Sequence, residues 1–310
     1  MKRPRPSAIA GSMNVIMPER GKADTPPQCP PHSPPSIVIS ASNKWRNMLA
    51  LAAADIGQTL RLWPLVWTLS LFDIRLRYRG SLLGPFWLTL STAIMVGTIG
   101  FLYSHLFHQN VGNYLPFLSI SLVFWTFIST ITAESSICFT QAEGLIRNMR
   151  MPHSLHAARV VVRNVMVLAH NMVVIVAVCI IFHTVPSLAS FSLLPACMIW
   201  FVDAFAISIL LGIFGARFRD IPPIIGSVMQ IAFYLTPIMW NPSMLTHRGL
   251  AFALVSFNPF YGLLEIMRGP LLGQPLEPHA WLVALGYSAI LIIVTGLVFS
   301  RARPRIPYWI

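Results

Sequence analysis

Residues 72–106 read FDIRLRYRGSLLGPFWLTLSTAIMVGTIGFLYSHL. Arg75, Arg77 and Arg79 recur at every second position, and no Asp, Glu, Lys or Arg follows between Gly84 and Leu106. About 20 consecutive apolar residues are enough for a helix to cross a bilayer. The run from about residue 84 to 106 supplies them, with Pro85 suited to a first helical turn. Arginines crowded against the start of such a run mark a cytoplasmic boundary, because lysine and arginine collect in cytoplasmic loops.

Working outward, five more runs of similar character occur at about 115–135, 160–182, 193–214, 222–240 and 280–299. The expected fold class is therefore an all-α membrane protein with six transmembrane helices. Between the fifth and sixth runs, GLAFALVSFNPFYGLLEIMRGPLLGQP is interrupted at Asn258-Pro259 and Gly269-Pro270. Its apolar pieces, about ten residues each, are too short to cross and read as re-entrant or interfacial half-helices. Irregular backbone at membrane depth must be buried in protein or line water, which makes this segment a candidate gate.

Composition agrees. Of 310 residues, 55% are hydrophobic and 10% charged, against about 25% charged in soluble domains. The net charge of +12 sits in small groups between apolar runs, which argues for topology and against nucleic-acid binding. Eleven arginines flank one set of span ends: Arg75, Arg77, Arg79, Arg147, Arg150, Arg159, Arg217, Arg219, Arg301, Arg303 and Arg305. The other set carries Arg248 and Arg268. This asymmetry places both termini in the cytoplasm.

Ahead of the spans, residues 1–41 hold nine prolines and no apolar periodicity. They read as a disordered cytoplasmic tail and lack the apolar core of a signal peptide. Residues 42–82 read as interfacial amphipathic helices, the first capped by Ser42 and the second running from near Pro64 to Tyr78. In the second, Asp73 and Arg77 are four apart, a spacing that favours an ion pair. Residues 83–300 form the six-span domain and 301–310 a cytoplasmic C-terminal tail.

The chemistry-bearing residues are few. No GxxxxGK[ST] loop exists, so the chain lacks the usual means of binding ATP, and no cofactor or metal site is expected. Cys29, Cys138, Cys179 and Cys197 lie far apart with no metal spacing. Arg163 and His170, and Asn164 and Asn171, are seven apart and share faces of the third span; Asp203 lies within the fourth. Helix-to-helix hydrogen bonding is the ordinary reading of such residues, and substrate contact the alternative. Phe101, Tyr103, Phe124 and Tyr234 serve either as interface anchors or as a channel lining on which sugar rings stack. A membrane acyl- or glycosyltransferase would need a paired His/Asp or acid cluster at one membrane face, and a secondary transporter would need coupling acids; neither pattern is present in the sequence.

FDIRLRYRGSLLGPFW resembles the entry to the first span in ABC-2-type polysaccharide export permeases. So do QAEGLIRNMRMPHSLHAARV after the second span, ARFRDIPPIIGSVMQIAFYLTPIMW in the fifth and FNPFYGLLEIMRGPLL before the sixth. These motifs cover residues 60–300 in the family's order. The resemblance implies a homodimer with a central channel, paired with two copies of a separate ABC ATPase subunit, in the inner membrane. It implies that the loop carrying Glu143, Arg147 and Arg150 couples to the ATPase, and that the substrate is a glycan on a polyprenyl pyrophosphate lipid. An ABC-2 permease for a lipid or drug is the runner-up. For Arg75 and Arg79 two readings stand. They are topology signals attracted to anionic membrane lipid, or a pair of planar forks that receive the substrate's pyrophosphate bidentately.

Overall fold

The computed structural model describes residues 45–310, apart from 82–83, 85, 107–109, 185–187 and 243–248. The proline-rich segment 1–41, Ser42, Pro85 and Arg248 lie outside the described residues. Those described contain helices and connecting turns and no strand. Five helices have the length and apolarity to span a membrane.

Two helices precede the spans: α1 (Trp45–Arg61) and α2 (Trp63–Arg77). α3 (Phe86–Leu106) and α4 (Val111–Ser135) follow. Two short helices, α5 (Cys138–Gln141) and α6 (Glu143–Asn148), lead into α7 (His153–Ile181) and then α8 (Leu193–Arg217). α9 (Ile221–Leu235), α10 (Leu250–Ser256), α11 (Pro259–Leu271), α12 (Pro278–Ala302) and α13 (Ile306–Trp309) complete the order.

Local chemistry explains the boundaries. Asn110 caps α4, its side chain accepting from the Gly112 amide at 2.8 Å, and Asn258 caps α11 through the Phe260 amide at 3.0 Å. Each satisfies an orphan donor of a first turn. α9 is shorter than its apolar run because Pro237 pushes the preceding residue out of the helical region, and Thr236 is extended at ψ 135°. At about 1.5 Å per residue, its 15 residues reach only part of the way across a bilayer.

α4 is the axis of the bundle, with Leu118, Ile120, Val123 and Phe124 among its buried residues; α3, α7 and α8 pack around it. Close approach is made possible by small residues, as is usual between membrane helices. A Cβ on Gly215 of α8 would lie 1.7 Å from the Ser136 carbonyl oxygen, so only glycine admits the turn after α4 there. α3 buries few residues, and Ile94, Phe101 and Leu102 point outward, as expected of a lipid-facing helix.

The contacts define two ends of the bundle. At one, Glu134 near the end of α4 meets Arg163 of α7, Ser154 of α7 and Arg303 after α12 meet Asp55 of α1, and Arg217 at the end of α8 stacks over Trp309 at 5.4 Å. At the other, Tyr114 donates to the Met239 carbonyl at 2.6 Å and Trp200 to that of Leu263 at 2.9 Å. The chain therefore changes ends between Arg217 and Met239, through α9 and its extended exit.

Candidate functional site

At the arginine-rich end, a charge network ties α2 to the bundle. Asp73 accepts from Arg159 (Nε at 2.6 Å, and Nη2) and from Arg163 Nη1 at 3.1 Å. Arg163 also donates to Glu134 through Nη2 at 2.8 Å and Nε at 3.2 Å. Glu134 further accepts from Asn164 Nδ2 at 2.7 Å and Arg77 Nη2 at 2.5 Å. The expected pair of Asp73 with Arg77 is thus not made. Asp73 faces α7, where two guanidiniums outcompete the half-exposed Arg77, and Arg77 reaches Glu134 instead. Ser70, fully buried, donates to the Arg159 carbonyl at 3.1 Å and brings α2 close to α7.

A second junction centres on Asp55, whose side chain is wholly buried. It accepts from the Ser154 amide at 3.0 Å and hydroxyl at 2.6 Å, from the His153 amide at 3.3 Å and from Arg303 Nε at 2.8 Å. Burial would raise its pKa. The His153 ring at 3.8 Å, the Ser154 donors and the Arg303 guanidinium outweigh that and hold the carboxyl well below the usual carboxylate range. Because the folded-state pKa is depressed, this stabilisation is present at neutral pH and lost only as pH falls through that low value. Nothing in the sequence beyond a polar stripe of Asp55 and Thr59 on one face of α1 pointed to this residue.

α6 is tied to the C-terminal residue. Arg147 pairs with Glu143 at 2.9 Å and donates to the Ile310 carbonyl oxygen at 2.5 Å. A cavity of about 460 Å³ opens between Gln58, Ile146, Arg147, Arg150 and Arg303, with Arg150 exposed. Glu143, Arg147 and Arg150 therefore lie together on one solvent-facing platform built from α1, α6 and the C-terminal turns.

Arg75 and Arg79 point away from this network. Both are exposed, and neither side chain has an ionic or hydrogen-bonding partner among the described residues. Of the aromatic candidates, Phe101 and Tyr234 are 65% and 70% exposed, and Tyr103 is half-buried. Phe124 differs from the channel-lining expectation. It is 1% exposed and its ring packs edge-on against Trp200 at 5.2 Å, inside the helical core. Asn164 and Asn171 are buried on one face of α7, whereas His170 is exposed and bonds to the Met166 carbonyl oxygen of its own helix. Asp203 accepts from Ser288 of α12 at 2.7 Å, an interhelical bond of the ordinary kind.

At the opposite end, Arg268 of α11 is 2% exposed. It donates to Glu265, to Ser121 Oγ at 3.0 Å and to the Pro237 carbonyl at 2.8 Å, and stacks over Phe117 at 4.3 Å. Asn258 Nδ2 donates to Thr236 Oγ1 at 3.0 Å. The short helices α10 and α11 are thereby fixed against α4 and the exit of α9.

Residues 64–272, from α2 through α11, match the ABC-2 type transporter family. The chain belongs to that family. The chain is similar to an O-antigen export system permease protein RfbA of Myxococcus xanthus, 21% identical over 232 residues, which are 74% of this chain and 89% of the relative. An RfbA permease of Klebsiella pneumoniae is 22% identical over 247 residues, 79% of this chain and 94% of the relative. With its long apolar helices, this ABC-2 chain is a multi-pass membrane protein.

Proposed function

We propose that the chain is the membrane subunit of an ATP-driven exporter that carries a polysaccharide, linked to polyprenyl pyrophosphate, across the cytoplasmic membrane. The observation that carries this reading is near full-length similarity to two O-antigen export permeases, on an ABC-2 domain. The platform of Glu143, Arg147 and Arg150 is the proposed dock for a separate ABC ATPase, two copies serving a homodimer of this chain. Its support is the exposure of these residues and the bond that ties α6 to the C-terminal residue through Arg147. The test is co-purification. The chain alone should not hydrolyse ATP, and it should bind a separate ATPase whose cross-links map to α6. ATP hydrolysis by the chain alone, or cross-links that avoid α6, would overturn the assignment.

Six crossings with both termini cytoplasmic are part of this proposal. The change of ends between Arg217 and Met239 supports an even count, because α8 and α12 both finish at the arginine-rich end. Reporter fusions after Asn110, Ser187 and Gly273 should read outside, and those after Arg150, Asp220 and Ile310 inside. An outside C-terminus would refute the topology.

Arg75 and Arg79 are the proposed receivers of the substrate's pyrophosphate at the channel entry, supported by their exposure and lack of partners. Phe101, Tyr103 and Tyr234 are the proposed sugar-stacking surface. Replacing both arginines with lysine keeps charge and orientation but loses the planar fork. Export in the double-lysine variant should fall about tenfold, the equivalent of roughly 1.4 kcal/mol, while insertion and ATPase binding persist. Unchanged export would leave these arginines as topology and lipid anchors.

A further inference from the structure

Beneath α2, a polar cavity of about 160 Å³ is bounded by Asp73, Cys138, Gln141, His156, Arg159 and Arg163. At a share of about 30 Å³ per water, it has room for roughly five waters, or for a small tetrahedral oxyanion with part of its hydration.

Three features of its walls point to a ligand. His156 is 2% exposed, and neither ring nitrogen has a hydrogen-bond partner. Buried polar groups are almost always paired, so an orphaned ring facing a polar space calls for an explanation. Arg159 places Nε and Nη2 on Asp73, which leaves Nη1 unbonded among the described residues. The surrounding network is also unbalanced, with Arg77, Arg159 and Arg163 facing Asp73 and Glu134. Three cations against two anions leave the network with one net positive charge, shared with water at the half-exposed Arg77 and at the rim of Arg159.

The Asp73 carboxylate borders the same space, but both of its oxygens are taken by arginines. It holds the guanidiniums in place without competing for Nη1. The donors that remain are Nη1 of Arg159, a ring N–H of His156 and, at the mouth, the Gln141 amide. His156 can donate in its neutral form, so the site works without protonating a buried imidazole. A guanidinium N–H, an imidazole N–H and an amide N–H meeting beside a net positive charge suit an anion with several acceptor oxygens.

We infer that this cavity is a binding site for a single phosphate-class oxyanion, held by His156, Arg159 and, at the mouth, Gln141, beside the network that joins α2 to α4 and α7. The inference does not rest on the substrate assigned above. The anion has two sources, free phosphate or the phosphodiester of an anionic lipid, and the site is the same for both.

The test uses the full chain in dodecyl maltoside, which contains no phosphate, with ³²P-labelled inorganic phosphate in equilibrium dialysis. One saturable site per chain is expected. His156→Phe, which fills the space and removes the donor, should weaken binding at least about tenfold, and His156→Gln, which keeps an N–H, by no more than about threefold. If short-chain phosphatidylglycerol displaces the label, the lipid headgroup is the source; if it does not, free phosphate is. Absence of saturable binding to the wild-type chain, or binding unchanged in a folded His156→Phe chain, would show that the cavity holds water only.

Discussion

Glu134→Ala is expected to lower the Tm of the purified chain by on the order of 10 °C. Removing one partner of a buried ion pair costs about 3–5 kcal/mol, because the remaining charge stays buried without compensation. In domains of 150–250 residues each kcal/mol moves Tm by about 2–4 °C, and the shift shrinks with size. Arg163 is the group left exposed to this penalty, since its side chain is 9% accessible and Asp73 alone would have to balance both it and Arg159. Arg77 is 43% accessible, and water would solvate most of its charge, so it adds little. The double variant Glu134→Ala, Arg163→Met should recover much of the loss, because it removes the stranded charge with its partner. Thermal unfolding followed by fluorescence-detected size exclusion reads both. A single variant within about 2 °C of wild type, the range of neutral surface changes, would show the network to be peripheral to stability.

Arg268→Met is expected to be comparably severe, with a different signature. Its guanidinium serves Glu265, Ser121 and the Pro237 carbonyl at once and covers the face of Phe117. Methionine fills part of the volume but leaves Glu265 unpaired and the Pro237 carbonyl without a donor, again a penalty of about 3–5 kcal/mol. Because Arg268 joins α11 to the exit of α9, the loss should be local first. Amide exchange across residues 250–271 should accelerate before α4 and α7 change. Arg268→Lys should fall between, as it keeps the charge without the fork or the planar stack. Exchange in α11 equal to wild type in the methionine variant would refute this role.

What could be read in the sequence followed from local rules. The apolar runs became helices close to the expected places, and Pro259 and Asn258 announced the start of α11. The end of α9 was also legible in principle, since Thr236-Pro237 inside the run 222–240 argues against a helix continuing there. Charge partners were not legible. Asp73 and Arg77 satisfy the four-residue rule, yet Asp73 bonds to Arg159 and Arg163, 86 and 90 residues away. Local spacing carries no information on which helix will face which. His156 gave no signal either, because a lone histidine in HAARVVVRN looks like any core histidine until the arginines around it are in place. Phe124 was misjudged for a related reason. An aromatic in an apolar span reads the same from either side, and only packing against Trp200 assigns it to the interior.

The Asp55 junction bears on how the chain is made. Asp55 belongs to the first described helix, and Arg303, which completes its shell, lies 248 residues later. At about 5–20 residues per second, the ribosome delivers that partner roughly 12–50 seconds after Asp55 itself. Once Ser154 has been made, and until Arg303 follows, the nascent chain holds an acid with only the α7 half of its partners, and Arg147 lacks its bond to Ile310. A chain stopped before Arg303 can therefore form its helices yet leave Asp55 and Arg147 short of these partners.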